Sequence, residues 1–356
     1  MRACVLRGER LVVDEVPEPR PAAGQVLVRS VACGICGSDV HFLRHARAMV
    51  DLTEQLRPSL GDIGALAPPP IDLGRDIVMG HEFCAEVLEH GPGTTGPPPG
   101  TLVVSMPVVV SARGVQQLAY NNEYPGGFAE RMVLSAPLLL PVPAGVDARA
   151  ASLTEPLAVG IHAVAVSGIG AGQAAAVAGC GPVGLAVIAA LSMAGVAPVV
   201  AADPSPARRA MASRLGATEV VDPRREPLLE AWRRVDGRHP LVAFEAVGVP
   251  GVIDALLRDV PRGTTVTVVG VCMEPDTIQP FFAVAKELTV RFAMAYGPDD
   301  FRRALAAIVT GAVDVSAMVT GTVDLDGVPG AFEALARPDE HVKILVTPAA
   351  ASPGAG

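Results

Sequence analysis

Charge is scarce in this chain. Asp, Glu, Lys and Arg make up 18% of its 356 residues, and the acidic side leads, with a formal net charge of −9. So acidic a chain has no general electrostatic reason to bind nucleic acid or an anionic membrane, and neither partner is expected. Cysteine is thin as well. Six residues (Cys4, Cys33, Cys36, Cys84, Cys180 and Cys272) scattered over the whole length make no disulfide framework, which points to a reduced, cytoplasmic setting. The first ten residues lack the apolar core of a signal peptide and read as the opening strand of a hairpin. Low charge with a mean hydropathy of +0.40 fits a globular rather than a disordered chain.

One stretch lacks charge altogether: residues 157–202 hold no Lys, Arg, Asp or Glu. A membrane span needs about 20 uninterrupted apolar residues. Here Gly168, Gly170, Gly172, Gly179, Gly181, Gly184 and Gly195 interrupt the run. The better reading is a set of buried parallel strands with helices packed on them.

The length favours two domains. As far as about residue 136 the text is strand-like, with short runs such as residues 25–31 and 101–105 separated by Pro/Gly turns at 91–93 and 97–100. From about residue 156 strand and helix alternate: strands at 174–178, 198–202, 241–244 and 264–269, helices at 181–194, 206–215 and 249–257. Repeated βα units imply a doubly wound parallel sheet, so the fold class is α/β. The chain is expected to return to the first domain after residue 295, through a helix at 298–309 and a last strand at 342–346. That assigns 1–156 and 295–356 to one domain and 157–294 to the other. The final residues, 349–356, read as a loose tail.

Residues 42–79 stand out. Phe42, Ala46, Met49, Leu52 and Leu56 recur at helical steps on one face, with Arg44, Arg47, Asp51 and Glu54 off it; Pro58 and the triplet Pro68, Pro69 and Pro70 then stop the pattern. Such a helix usually packs against a core. Its place between two candidate metal motifs also makes it a candidate cap on a catalytic site.

Gly179, Gly181 and Gly184, with Pro182 and Val183 between them, follow a strand and open a helix, and Asp203 ends the next strand. The glycines permit a tight turn, close backbone approach to a pyrophosphate and close helix packing, while the helix N-terminus offers free N–H groups to the phosphates. Asp203 suits the adenosine ribose and repels a 2′-phosphate, which favours NAD. Arg208 and Arg209 on the following helix can reach a phosphate, so NADP stays open.

Upstream, Cys36 stands beside Ser38, Asp39 and His41, and His81 beside Glu82, with Glu155 at the domain border. A thiolate, an imidazole and one carboxylate form a three-ligand zinc set with an open position. Zinc there lowers the pKa of a bound hydroxyl from about 16 towards about 7. Asp39 suits the other imidazole nitrogen of His81. Metal and dinucleotide together point to hydride transfer.

The motifs at residues 33–41, 80–83 and 126–130, the run Glu155-Pro156-Leu157-Ala158-Val159-Gly160-Ile161-His162 and the glycine fingerprint occur in order along the chain. In them the sequence resembles the zinc-dependent medium-chain dehydrogenase/reductase superfamily, above all its polyol and sorbitol dehydrogenase-like branch. The resemblance implies a GroES-like β-rich catalytic domain carrying the 42–79 insertion, a Rossmann domain, and a cleft between them. It implies that Cys36 and His81 bind zinc with Glu82 or Glu155, that Ser38 takes the substrate proton, and that His41 relays it to the cofactor ribose and solvent. It also implies a homo-oligomer, dimer or tetramer. Many relatives carry a structural zinc on four clustered cysteines; this chain has none between Cys84 and Cys180, so one catalytic zinc is expected. The implied activity is hydride exchange between a secondary alcohol or polyol, or its carbonyl, and NAD(H). The alternatives are a zinc-free enoyl or quinone reductase and a non-catalytic dinucleotide-binding regulator.

Overall fold

The computed structural model describes residues 1–60, 71–337 and 340–348. It divides into two compact units, the first made of Met1–Glu155, Val319–Arg337 and the chain from Lys343, the second of Pro156–Met318.

In the first unit the N-terminal hairpin forms as expected, Arg2–Arg7 pairing antiparallel with Arg10–Glu15. The hub is the strand Gln25–Gly34, ten residues whose apolar side chains are nearly all buried. It pairs antiparallel with Glu82–His90, Arg131–Ser135 and Lys343–Val346, inside a seven-stranded sheet. Its register sets Gly34 opposite both Glu82 and Leu345. Motifs far apart in sequence therefore meet at one end of one strand, with Cys36 just beyond Gly34 and His81 just before Glu82.

The helix Gly37–Leu56 starts directly after Cys36 and departs from helical geometry at His45. Only the first half of its apolar face is covered. Phe42 is 1% exposed and Ala46 and Met49 pack against the core, whereas Leu52 and Leu56 are 45% and 53% exposed. Pro58 falls in the 3-10 turn Arg57–Leu60 that ends it. The three prolines at 68–70 and the tail at 349–356 lie outside the described residues.

The second unit is a six-stranded, fully parallel sheet in the order Glu219–Val221, Val199–Ala202, Ala174–Ala178, Leu241–Glu245, Thr265–Val268, Thr289–Phe292. Numbered along the chain this is 3-2-1-4-5-6, the doubly wound order in which dinucleotides bind at the central switch point. Two of the strands, Glu219–Val221 and Thr289–Phe292, carry too weak an apolar signal to be read from sequence: the first is three residues long and the second wholly exposed. The uncharged stretch is explained by burial, since the strand Ala174–Ala178 is almost entirely buried and the helix Pro182–Met193 is buried from Gly184 to Leu191. Among the described residues no helix is long and apolar enough to cross a membrane.

The return to the first unit comes later than residue 295. The helix Pro298–Thr310 groups with the second unit. Its Phe301, Ala304 and Leu305 are buried, and Asp300 lies 3.0 Å from His162 Nδ1. The chain rejoins the first unit at the strand Val319–Val323, which pairs with Lys343–Val346.

Gly160 shows how tightly the second unit is packed. A Cβ there would stand 2.3 Å from the Ala186 carbonyl oxygen on the neighbouring helix. Gly160→Ala is expected to cost about 1–3 kcal/mol in urea unfolding. Gly170→Ala, where nothing lies within 4 Å, serves as the control and should be near neutral.

Candidate metal centre and dinucleotide site

The metal set is built at the mouth of the Gly37–Leu56 helix. Cys36 is the residue before its first turn, where free N–H groups and the helix dipole favour negative charge. Asp39, in that turn, accepts the Cys36 N–H at 3.0 Å. Ligand atoms of Cys36, His81 and Glu82 all lie within 4.8 Å of one another, the one such group of three among the described residues. Glu155 is buried at the start of the helix Thr154–Ser167 but outside that group.

The surroundings suit a cation. His81 Nδ1 is buried without a hydrogen bond and faces Asp39 Oδ1 at 3.4 Å. Burial alone would lower the pKa of this imidazole, but Asp39 and Cys36 outweigh it and hold it well above the usual value. A soft thiolate, an imidazole and a carboxylate, with Asp39 steadying the imidazole, are the donors and support that zinc takes. The residues present fit zinc.

Two side chains in the site were not foreseen. Lys343, fully buried, bonds both oxygens of Glu82 at 2.7 and 2.6 Å and the Ile35 carbonyl at 3.2 Å. Burial disfavours its charge, but Glu82, Cys36 and Glu155 more than offset that and raise its pKa. Gly34 leaves the space for this pair, since a Cβ there would fall 2.1 Å from Glu82 Oε2. The only signal was one charge inside the apolar run Val342 to Val346. Tyr120, which had no signal, is within hydrogen-bond distance of Ser38 Oγ, at 3.0 Å, and of Asp39 Oδ1, at 2.9 Å. Burial first, then Asp39 and Cys36, push its phenol well above the ordinary range. Ser38 thus joins the group around Asp39, whereas His41 is exposed, with its ring 6.3 Å from that of His45.

In the second unit each fingerprint glycine has its own reason. Gly179 has φ +94°, a conformation L side chains rarely adopt, and a Cβ on Gly184 would strike the Gly179 carbonyl oxygen at 2.0 Å. Gly181 differs: the nearest atom to a Cβ there is Arg208 Nη1, at 4.0 Å, so the space is open. Pro182 and Val183 form the first helical turn after it, where N–H groups are free to meet phosphate. Asp203 is held by the backbone, Oδ2 accepting from Cys180 N at 2.9 Å and Oδ1 from Ser205 N at 2.8 Å. Arg208 Nε is buried without a partner, an orphan that a bound anion would satisfy. Arg209 is already engaged, donating to the Asp203 and Pro204 carbonyls. These residues fit a dinucleotide.

The Lys343–Glu82 pair gives a direct test of the charge balance in the metal centre. Lys343→Met leaves a buried carboxylate unpaired and is expected to cost about 3–5 kcal/mol in denaturant unfolding of the metal-free protein. Added zinc should recover part of the loss.

Known proteins share the sequence and fold of this chain. Residues 22–144 match the family described as alcohol dehydrogenase GroES-like domain, and residues 182–310 match zinc-binding dehydrogenase. The chain is 32% identical over 350 residues to (R,R)-butanediol dehydrogenase of Bacillus subtilis (strain 168), covering 94% of this chain and 96% of that protein. It is 29% identical over 359 residues to sorbitol dehydrogenase of Gallus gallus, covering 96% and 94%. A solved zinc-binding dehydrogenase from Sinorhizobium meliloti 1021, bound to NADP, superposes with a TM-score of 0.80 at 28% identity over 98% of this chain and 99% of that one. The chain belongs to the zinc-dependent medium-chain dehydrogenase/reductase superfamily, in its alcohol and polyol dehydrogenase-like branch.

Proposed function

We propose that this zinc-dependent alcohol and polyol oxidoreductase works with one zinc ion and NAD on a secondary alcohol or vicinal diol, in a cytoplasmic setting. The observation that carries the reading is the convergence of half-buried Cys36 with buried His81 and Glu82. These three residues hold the metal, and Glu155 lies near enough to influence the charge of Lys343. Zinc supplies Lewis acidity, which makes an alcohol easier to deprotonate near neutral pH. Ser38 accepts the substrate's proton, and His41 passes it towards solvent. The butanediol, sorbitol and xylulose activities named for relatives support a substrate with neighbouring hydroxyl groups. A zinc-free reductase or a non-catalytic regulator would have no use for the three-ligand set.

Asp203 supports NAD because its carboxylate is pinned by two backbone N–H groups and cannot swing away from a 2′-phosphate. Arg208, with its unpartnered Nε, serves a phosphate common to both cofactors. Gly179, Gly181 and Gly184, with the turn formed by Pro182 and Val183, would hold the pyrophosphate.

A homo-oligomer is supported by the edge strand Thr289–Phe292. All four residues are exposed, and Phe292, Met294, Phe281 and Val284 around it are between 68% and 79% exposed. An open, apolar edge is a template for pairing, and a second copy of the same edge is the occupant we propose.

Direct measurements test the reading. Purified protein should hold one zinc per chain and oxidise secondary alcohols or diols with NAD at least about tenfold better than with NADP, the factor that 1.4 kcal/mol confers. Cys36→Ala and His81→Ala should abolish turnover while NADH binding, read by fluorescence, persists; two zinc equivalents or active metal-free protein would sink it. In sedimentation, Phe292→Lys should shift the oligomer towards monomer, and an unchanged distribution would rule out this edge.

A further inference from the structure

The helix Gly37–Leu56 starts at the metal set and carries, over its first half beyond Asp39, ionisable groups of one sign only. Between Asp39 and Asp51 these are His41, Arg44, His45 and Arg47, all exposed, with no acid among them. In a chain of net charge −9 such a local excess of base runs against the whole. Elsewhere a helical arginine finds a carboxylate one turn away: Arg57 has Glu54, Arg258 has Asp254 and Arg302 has Asp299. Arg44 has none, because every ionisable side chain within four positions of it is basic. Among the described residues neither Arg44 nor Arg47 makes an ion pair or a hydrogen bond.

The helix gives this basic stripe a direction. Phe42 is buried and Ala46 and Met49 pack against the core, while Ser38, His41 and His45 follow one another at steps of three and four on another face, with Arg44 beside them. Arg44 stands eight residues past Cys36, roughly 12 Å along the axis. Its Cα–Cβ bond leads back towards the helix N-terminus, the end where Cys36, His81 and Glu82 converge. The crowding of cations is felt at His41, whose pKa is lowered by burial first and then by His45 and Arg44. Cations that repel one another and lack a counterion are relieved by an anion, and a guanidinium takes a carboxylate or phosphate through two parallel hydrogen bonds.

We propose that Arg44, flanked by His45 and Arg47, is a specificity-determining residue that holds an anionic group of the substrate, so that the alcohol oxidised here carries a phosphate or a carboxylate. An open-chain polyol with its anion at the end far from the reacting hydroxyl bridges the distance from the metal set to Arg44. The anion is a handle and takes no part in making or breaking bonds. The inference rests on the reading of this chain as an alcohol and polyol oxidoreductase. The phosphates of the cofactor are a second source of the same chemistry, and the test separates the two.

The test compares tetritols, pentitols and hexitols with their terminal monophosphates and with the matching aldonates, as substrates of the zinc-loaded protein. The wild type should favour the anionic member of at least one set by about tenfold or more in kcat/KM. Arg44→Gln should lower kcat/KM for that anionic substrate about ten- to hundredfold, the worth of one hydrogen bond to a charged group, and do so mainly through KM. The neutral polyol of the same set should move by less than about twofold, because Arg44 has nothing to hold on it. Arg44→Lys, which keeps the charge and loses the fork, should recover part of the preference. The Kd values of NADH and NADPH, read by fluorescence, should move by less than about twofold in either variant. No preference for an anionic substrate in the wild type, equal losses on neutral and anionic substrates, or weakened cofactor binding in Arg44→Gln overturns the proposal, the last by assigning the anion to the cofactor. Protein that oxidises no alcohol at all overturns the oxidoreductase reading together with this inference, whereas oxidation of neutral polyols alone overturns only the inference.

Discussion

A carboxylate with no access to water, Asp39, is the point from which the metal centre is organised. It can only accept hydrogen bonds, so its neighbours must turn their donors towards it: the Cys36 N–H, the Tyr120 hydroxyl and the Nδ1 face of His81. Its place in the first turn of the Gly37–Leu56 helix sets its charge against the positive end of the helix dipole. Cys36 is thereby fixed at the helix mouth, beside His81 and Glu82. The chemistry of the site follows from one acceptor that has nothing to give.

Around it lie other buried charged groups. Asp39, Glu82 and Glu155 are buried, and Cys36 supplies a thiolate when it binds metal, while Lys343 is the ammonium among them. Buried ions are costly unless paired, and breaking such a pair is costlier than never having made it. Lys343 holds Glu82 by both oxygens in the space that Gly34 leaves.

Much of this was legible in the sequence wherever a residue's reason was local. The fingerprint glycines each answer to the backbone within a few positions, and Asp203 sits where one strand ends, so spacing alone reveals them. Cys36, His81 and Glu82 were legible as a set because their types are rare together, although their convergence depends on the register of Gly34 against Glu82. Tyr120 gave no signal and Lys343 only a lone charge in an apolar run, for the opposite reason: each acts on a residue more than eighty positions away. The same limit explains the late return of the chain. The helix Pro298–Thr310 is amphipathic in either unit, and only its contacts, such as Asp300 with His162, say which one it joins.

The distance along the chain between Glu82 and Lys343 has a further consequence. They are 261 residues apart, and the whole of Pro156–Met318 is made between them. A ribosome releases the segments of Cys36, His81 and Glu82 first and the lysine that pairs with Glu82 only 261 residues later. During synthesis the cofactor-type unit can fold on its own local contacts, while the earlier segments wait for their final strand. A chain halted before Lys343 would hold Glu82 without the ammonium that bonds both of its oxygens.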